Sequence, residues 1–439
     1  MPSELMSGLL PEFLVLGAIV LLMLLEMLRV DGRLARAVFV VATGGGLVVL
    51  LRQISAGFGA TLVPGEVVID PFALHARVVL LLCALGLGLG FSRAGGHKFW
   101  LLAAGSLLGG LLMMTSAGFI TLFLGIELLS LPAFALIVHQ QGRGVASEGA
   151  FKYLVLSSVA SAVLLFGVSL AYGATGTLTF GDWAHGLIAG HAQAAVAGLL
   201  VLGGLFLKAA VFPLHAWAPD AYASARLPVT GLMASLVKAA VVLALARILA
   251  TMPLGPGPAT VVTLLALLSI VYGNVAALGQ ARFKRLLAYS SVAHAGYMIF
   301  ALLDVTGQRP DDLLWYAAFY ALATLLACAA FSALSPDGED DLRRLDGASA
   351  RQPVASLLLG IAVLSLAGLP PFPGFFAKLF VFRSVVASGH LGAAILAFAG
   401  SLLGLAYYVG LVLRLFRSET AGVTGGLPDT TRTRDEVPV

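Results

Sequence analysis

The sequence predicts an all-α protein that crosses a lipid bilayer about 13 times. Of its 439 residues, 59% are hydrophobic and only 11% are charged, whereas a water-soluble domain carries roughly 25% charged residues. Apolar stretches of roughly 20 residues recur along the whole chain, and each is long enough to cross the hydrocarbon core as a helix. Lipid offers the backbone no hydrogen bonds, so these stretches are expected to be helical.

The apolar stretches set the positions of the predicted membrane spans. They do not alternate polar and apolar residues, which argues against barrel strands. We predict helices near residues 8–28, 34–54, 71–91, 98–115, 117–138, 150–172, 194–217, 228–250, 258–279, 286–303, 313–334, 353–381 and 391–416.

Basic residues predict the orientation of these spans. With an outside N-terminus, most of the 26 Lys and Arg residues fall on inside segments, which is the expected bias. We therefore predict a cytoplasmic C-terminus, and a disordered polar tail over 418–439. The basic residues left at outside ends and loops are Arg52, Arg77, Arg247, Arg309 and Arg383.

Two spans contain helix-breaking residues at mid-membrane. The seventh reads KAAVFPLHAWAP, with Pro213 and Pro219, and the twelfth reads GLPPFPGFFAKLF, with Pro370, Pro371, Pro373 and Gly374. Proline removes a backbone hydrogen bond. Broken helices at matched places indicate two five-helix repeats, spans 4–8 and 9–13, in inverted orientation. The predicted division is N-terminal helices 1–95, repeats 96–251 and 252–417, and tail 418–439.

Ionisable residues inside the spans are the main functional signal. Lys208, Lys238 and Lys378 lie within apolar stretches, Lys152 opens the sixth span, and Glu127 lies in the fifth. A lysine at mid-membrane costs roughly 2.5–3.5 kcal/mol on insertion scales. A buried lysine that gains or loses a carboxylate neighbour can switch between charged and neutral forms, as a proton relay requires. The alternatives are structural: Lys152 could snorkel to the interface, and Glu127 could serve as a counter-ion only.

Two histidines add groups that titrate near neutral pH. His215 follows Lys208 by seven residues, which predicts the same helix face two turns along. His294 lies in the polar stretch AYSSVAHAGY of the tenth span. Each is either a relay group or a hydrogen-bonded packing residue.

The remaining motifs exclude several chemistries. Cys83 and Cys328 stand alone in apolar runs, so we expect packing residues and not metal ligands or a disulfide. We find no nucleotide, haem or iron–sulfur motif. The basic residues are spread over short loops, which argues against a nucleic-acid partner.

An ordered series of motifs resembles a known family. The series runs GIELLSLPAFAL, FKYLVLSSVASAVLLFGVSLAYGATGTL, LKAAVFPLHAWAPDAY, LMASLVKAAVV, RFKRLLAYSSVAHAGYM and GLPPFPGFFAKLFVF. It is similar to the antiporter-like membrane subunits of proton-pumping NADH–quinone oxidoreductase, respiratory complex I, over residues 8–416. The opening LLPEFLVLGAIVLLML and the twelfth-span lysine are most similar to the subunit N branch. The polar tail after span 13 departs from that branch, which usually has a further C-terminal span.

The resemblance implies a role for each matched residue. Glu127 would modulate the seventh-span lysine, Lys208, and Lys238 would be the connecting lysine. The remaining matches continue this series: His215 and His294 on a hydrated axis, Lys378 at the output side, and Lys152 as a basic sixth-span residue.

The resemblance also implies partners and a location. NADH, FMN, iron–sulfur clusters and quinone would belong to partner subunits, and this chain would bind no cofactor and perform no redox chemistry. Its neighbours would be other membrane subunits and lipid in a bacterial inner membrane. Two alternatives remain: a subunit of a multi-subunit Na⁺/H⁺ antiporter or membrane-bound hydrogenase, and a purely structural membrane subunit.

Overall fold

The computed structural model describes residues 2–29, 31–92, 95–139, 145–188, 192–251, 256–303 and 310–417. These residues form a helical bundle, which confirms the predicted class of fold. Ten helices in the described ranges are long and apolar enough to cross a membrane. The tail predicted over 418–439 and Arg309 lie outside these ranges.

The N-terminal part of the bundle contains both helices and two short strands. Its elements are α1 Pro2–Gly8, α2 Leu10–Met27, α3 Gly32–Ser55, β1 Ala60–Val63, β2 Val67–Ile69, α4 Pro71–Gly90, α5 His97–Thr115, α6 Phe119–His139, α7 Val145–Thr175, α8 Phe180–Ile188, α9 Ala192–Lys208, α10 Trp217–Ser224, α11 Leu227–Leu232 and α12 Lys238–Thr251.

In the described residues of the C-terminal part, helices are the regular elements and no strand pair forms a sheet. Its helices are α13 Pro256–Leu278, α14 Phe283–Ala301, α15 Pro310–Leu334, α16 Ala348–Arg351, α17 Pro353–Ala367, α18 Pro373–Ala387 and α19 Leu391–Leu415, with a short 3₁₀ turn at Leu342–Leu345. Each predicted span coincides with one of the helices or with two consecutive ones. The count of 13 spans, the domain division and the inverted relation of the repeats stay predictions.

The break in the seventh span begins earlier than its prolines indicate. Helix α9 ends at Lys208, and the backbone is non-helical until α10 begins at Trp217. Pro219 does not break a helix, because it lies in the first turn of α10, where its missing N–H has no intrahelical role. Partners satisfy the freed backbone: the Trp217 indole donates to Leu207 O at 2.7 Å, and Ser269 Oγ accepts from Phe212 N at 2.9 Å.

The break in the twelfth span lies where the prolines predict it. Helix α17 ends at Ala367, and Gly368 follows in the left-handed region with φ +80°. Helix α18 then starts at Pro373. The two broken spans differ in one respect: Lys208 is the last residue before its break, whereas Lys378 lies after its break.

The eighth span is not a continuous α-helix. A π-helical turn at Met233–Val237 separates α11 from α12 and ends directly before Lys238. The sequence motifs do not predict this turn. Single π turns inside helices are frequent at functional sites.

A β-hairpin on the bundle is an addition to the predicted all-α fold. Strands β1 and β2 pair antiparallel. Glu66, in the turn, accepts hydrogen bonds from the Thr121 N–H at 3.1 Å and from its hydroxyl at 2.8 Å, next to the start of α6. Arg247 of α12 pairs with Asp70 at 3.1 Å. The hairpin is therefore fastened to two helices of the bundle.

Arg77 and Arg247, which the charge pattern assigns to outside ends and loops, both lie within helices and are buried. Arg77 is fully buried in α4 and pairs with Glu12 of α2 at 3.0 Å. It also donates to Gly8 O at 3.1 Å. Arg247 is 8% exposed. Each pairs with a carboxylate that is far away in sequence, and the local charge pattern cannot show such a partner.

Candidate functional site

Lys208 lies at the centre of a buried polar cluster. Its ammonium is 3.6 Å from Glu127 Oε1. It also donates to Ser157 Oγ at 3.0 Å and to Ser130 Oγ at 3.2 Å. Ser161 in turn donates a short hydrogen bond to Glu127. Helices α6, α7 and α9 therefore converge on one charged pair, as the sequence predicts for Glu127 and Lys208.

A small cavity adjoins this cluster. It has a volume of about 10 Å³, and its lining includes Ser130, Ser157, Lys208 and Trp217. This volume is about the space that one water molecule needs. Val237 and Val241, which flank Lys238 in sequence, also line the cavity. The cavity thus brings the cluster to the helix that carries the next lysine.

Lys238 is 2% exposed and reaches across to α14. Its ammonium donates to Ser291 O at 2.7 Å and to Ser291 Oγ at 3.0 Å. In the described part of the chain no carboxylate forms an ion pair with it. Carbonyl and hydroxyl oxygens accept from an ammonium and from a neutral amine alike, so this site accommodates either form.

His294 lies between the two remaining lysines. It is 4% exposed, and the charges of Lys238 and Lys378 both act on it. Its Nδ1 bonds the Tyr316 hydroxyl at 2.9 Å, and its Nε2 bonds the Tyr408 hydroxyl at 3.2 Å. In a neutral imidazole one nitrogen donates and the other accepts, so a proton can move through the ring between the two hydroxyls.

Lys378 is the last lysine of the series and lies in α18, after the break in the twelfth span. Its ammonium donates to Ala367 O at 2.9 Å and to Ser401 Oγ at 2.8 Å, and lies 5.1 Å from the centre of the Tyr297 ring. Ala367 is the last residue of α17, and a cation at a helix C-terminus is favoured by the helix dipole. A second cavity of about 10 Å³ is lined by both Lys378 and His294.

His215 does not lie where the spacing predicts. Residues between α9 and α10 are not helical, so His215 cannot share a helix face with Lys208, and that prediction is wrong. Its ring instead packs 4.6 Å from the Tyr272 ring and 5.4 Å from the Phe212 ring. The side chain is buried, and the charge of Lys238 acts on it.

Lys152 stands apart from the buried series. Its side chain is 42% exposed and pairs with Glu148 at 2.6 Å and with Asp220 at 2.7 Å. Asp220 also pairs with Arg285 at 3.1 Å. This arrangement fits the interfacial alternative for Lys152. The structure therefore brings six of the seven predicted residues into the bundle interior or its edge and leaves Lys152 at a half-exposed charge cluster.

The sequence motifs miss the hydroxyl groups and the aspartate that join the charges. Polar residues within apolar spans are a usable signal, because such side chains tend to bond across helices in membranes. Ser157 and Ser161 also have the spacing of one helix face. The residues missed are Ser130, Ser157, Ser161, Asp220, Ser291, Tyr316, Ser401 and Tyr408. Over the described residues, no group of three or more His, Cys, Asp or Glu side chains could hold a metal ion.

The fold and the site define a multi-pass α-helical membrane protein with ionisable side chains at membrane depth, the class that includes ion transporters. The family model described as NADH:quinone oxidoreductase/Mrp antiporter, TM, matches residues 116–404. NADH-quinone oxidoreductase subunit N of Pelobacter propionicus is 52% identical over 425 residues, which cover 96% of this chain and 91% of the relative. The chain belongs to the family of NADH:quinone oxidoreductase and Mrp antiporter membrane subunits.

Two solved structures share the fold along nearly the whole chain. A chain of respiratory complex I from Thermus thermophilus with bound aureothin matches with a TM-score of 0.80 and 34% identity, covering 92% of this chain and 90% of that one. A chain of the membrane-bound sulfane sulfur reductase, an archaeal respiratory membrane complex, matches with a TM-score of 0.84 and 26% identity, covering 94% and 88%. Both are chains of multi-subunit membrane complexes.

Proposed function

We propose that this chain is a proton-translocating membrane subunit of an NADH–quinone oxidoreductase. It couples electron transfer on partner subunits to proton movement through its own buried side chains. The observation that carries the proposal is the series Glu127–Lys208, Lys238, His294 and Lys378, in which the lysines and the histidine are buried and each is bonded by a serine or tyrosine hydroxyl. The 52% identity with a subunit N supports the choice of complex.

The surroundings of each side chain determine its role in this proposal. Glu127 sets the charge state of Lys208, because their separation of 3.6 Å makes each stabilise the charged form of the other. Among the described residues, the hydrogen-bond partners of Lys238 and Lys378 are uncharged oxygens, so these lysines suit transient protonation. His294 passes protons between them, and His215 adjusts the electrostatics of Lys238. Lys152 holds the charge cluster with Asp220 and takes no proton from the series.

The proposal also covers the location, orientation and partners of the chain. It lies in a bacterial inner membrane with its N-terminus outside and its C-terminus in the cytoplasm, and its two halves are inverted repeats. Other membrane subunits contact it in the assembled enzyme. NADH, FMN, iron–sulfur clusters and quinone stay on partner subunits, so the chain moves protons without redox chemistry of its own.

Substitution of the two central lysines tests the proposal. In the purified complex reconstituted into liposomes, Lys208→Ala and Lys238→Ala should each lower proton pumping by about tenfold or more, since a positioned proton-transfer group typically contributes roughly 10²–10⁴-fold. Lys98→Ala is the matched control, since that lysine is 57% exposed at the start of α5. Pumping at the wild-type rate in both lysine variants, with the subunit assembled, contradicts the assigned roles and favours a structural subunit.

A second candidate is a subunit of a related antiporter or hydrogenase-type complex. The similarity to a chain of the archaeal sulfane sulfur reductase favours it, because the TM-score of 0.84 is as high as that for complex I. Co-purification through a tag on this chain separates the candidates. NADH dehydrogenase activity in the eluate supports the first, and sodium-dependent flux without it supports the second.

A further inference from the structure

Helix α15 carries a row of buried polar side chains that the series of lysines does not use. Asp312, Tyr316, Tyr320 and Thr324 follow one another at intervals of four residues, and all are at most 8% exposed. We call these four residues the polar stripe. Residues four apart in an α-helix lie on the same face, about 6 Å apart along its axis. Next to the stripe on α15, the rings of Trp315 and Phe319 stack on each other.

The middle of the polar stripe contacts the candidate relay directly. The Tyr316 hydroxyl bonds His294 Nδ1 at 2.9 Å, and the Tyr320 ring lies 4.8 Å from the imidazole. Tyr316, Tyr320, His294 and Lys378 all line the same cavity of about 10 Å³. The cavity therefore places Lys378 and His294 beside the stripe.

Two hydroxyls of the polar stripe have no hydrogen bond of good geometry. They are the buried Tyr320 hydroxyl and Thr324 Oγ1, although Tyr320 interacts with both Thr324 and Ser291. Buried polar groups are normally bonded to protein or to ordered water. The Tyr320 hydroxyl lies beside Ser291, the residue that binds Lys238.

The polar stripe ends at a buried carboxylate. Asp312 lies in the first turn of α15, at the end of the helix that we predict to face outside. Ser384 of α18 donates to Asp312 Oδ2 at 2.6 Å. Side chains of a helix tilt toward its N-terminus, so Tyr316 leans toward Asp312 and away from the inner surface. Within the polar stripe, Asp312 is thus the carboxylate one helical turn from Tyr316 in the predicted outward direction.

We propose that the polar stripe is a proton exit branch, in which Tyr316 passes protons from His294 to Asp312 and Asp312 releases them at the outer face. This inference rests on the proposed function. Protonated His294 gives its proton to the phenol oxygen of Tyr316, and the phenol proton moves to the Asp312 carboxylate. The protonated carboxyl then releases this proton to water. Lys378 promotes the transfer through its charge, which disfavours a positive imidazole.

Flux measurements on paired variants test the exit branch. In the complex reconstituted into liposomes, Asp312→Asn should lower proton pumping by about tenfold or more. Asp311→Asn is the matched control, because Asp311 is the preceding residue and is exposed. Asp312→Glu should keep most of the flux, since it restores a carboxylate. Tyr316→Phe, which removes only the hydroxyl, should resemble Asp312→Asn and serves in its place if that variant fails to assemble.

One further variant separates proton transfer from a structural role. If Asp312 merely fastened α15 to α18, then Ser384→Ala would reduce flux as much as Asp312→Asn, and that result overturns the branch. Equal flux in Asp312→Asn and Asp311→Asn also overturns it. Lys208→Ala measured alongside distinguishes the two proposals: loss of flux in Lys208→Ala with normal flux in Asp312→Asn removes only the branch, whereas normal flux in both removes the proposed function.

Discussion

The carboxylate of Asp220 lies 3.1 Å from the guanidinium of Arg285, and this ion pair joins α10 to α14. The other carboxylate oxygen binds Lys152 of α7 at 2.7 Å. One side chain therefore ties together helices that the sequence predicts to belong to different repeats. This contact lies directly after the non-helical segment of the seventh span, because Asp220 is in α10, where the helix begins again.

Asp220→Asn should reduce proton transport more than Glu148→Gln does. The first change leaves Lys152 and Arg285 without their common partner, whereas Glu148 is 75% exposed and bonds Lys152 alone. Exposed pairs contribute little, roughly 0–1 kcal/mol, so we expect almost no effect of Glu148→Gln on melting or flux. Flux assays in liposomes and melting in detergent check both variants. Equal effects of the two substitutions contradict a joining role for Asp220.

Gly368→Ala should displace Lys378 and lower proton transport. A Cβ atom at Gly368 would lie 2.8 Å from Lys378 Cδ, closer than van der Waals contact allows. Gly389→Ala is the matched control, since Gly389 also has a positive φ but its Cβ position is open. The left-handed backbone should cost both variants roughly 1 kcal/mol. Only Gly368→Ala should therefore lose flux, and a similar loss in Gly389→Ala would assign the effect to the backbone.

Arg77→Met should strongly destabilise the N-terminal helices. It leaves the Glu12 carboxylate buried without its cation, which costs about 3–5 kcal/mol. The double variant Glu12→Met with Arg77→Met should recover most of this loss, because two apolar side chains need no partners. Arg52→Met, at an exposed arginine of α3, is the control. Denaturant unfolding in detergent measures the difference, and a double variant no better than Arg77→Met refutes the explanation.

Low pH should weaken the hydrogen bonds of Asp341 that hold the loop between α15 and α16. Hydrogen bonds from the Arg343 side chain and backbone, with the charges of Arg343 and Arg414, lower the pKa of Asp341 from 3.8 to about 2. A lowered carboxyl pKa in the folded state contributes stability above pH 4, and this contribution is lost as the pH falls from about 4 to about 2. Asp341→Asn should therefore differ from wild type at pH 6 but not near pH 2.

Hydrogen exchange at the Leu342 amide, which donates to Ala281 O at 3.0 Å, reports this release. Wild type and variant are compared at equal pH, so the intrinsic change of exchange rate with pH cancels. A difference between the two proteins that stays constant from pH 6 to pH 2 contradicts the role of the Asp341 carboxylate.

The sequence identifies the buried charges better than it identifies their surroundings. Lys208, Lys238 and Lys378 stand out because a charge in an apolar stretch is costly, and the structure buries all three. The serines that bind them are harder to identify, because the spans contain many serines and the sequence does not show which of them face a lysine. The pairing of Ser157 with Lys208 also joins residues 51 positions apart, which no local pattern determines.

The wrong predictions for His215 and for the start of the seventh-span break also arise from contacts between residues far apart in sequence. The position of His215 was inferred from helical periodicity, which fails once the backbone leaves the helix at Lys208. Proline marks the region of the break but not its first residue, because a helix can end several residues before a proline when tryptophan and serine side chains satisfy its backbone. The fold class follows from composition, whereas such endings depend on tertiary partners.

The π turn before Lys238 affects how this span tolerates insertions and deletions. A π turn contains one residue more than the α-turn that would replace it, so every residue of α12 is rotated by about 100° from its place in an uninterrupted helix. Deletion of a single residue within 233–237 can restore regular winding without shortening the span by a full turn. Such a protein would still cross the membrane, but the buried ammonium of Lys238 would no longer face Ser291.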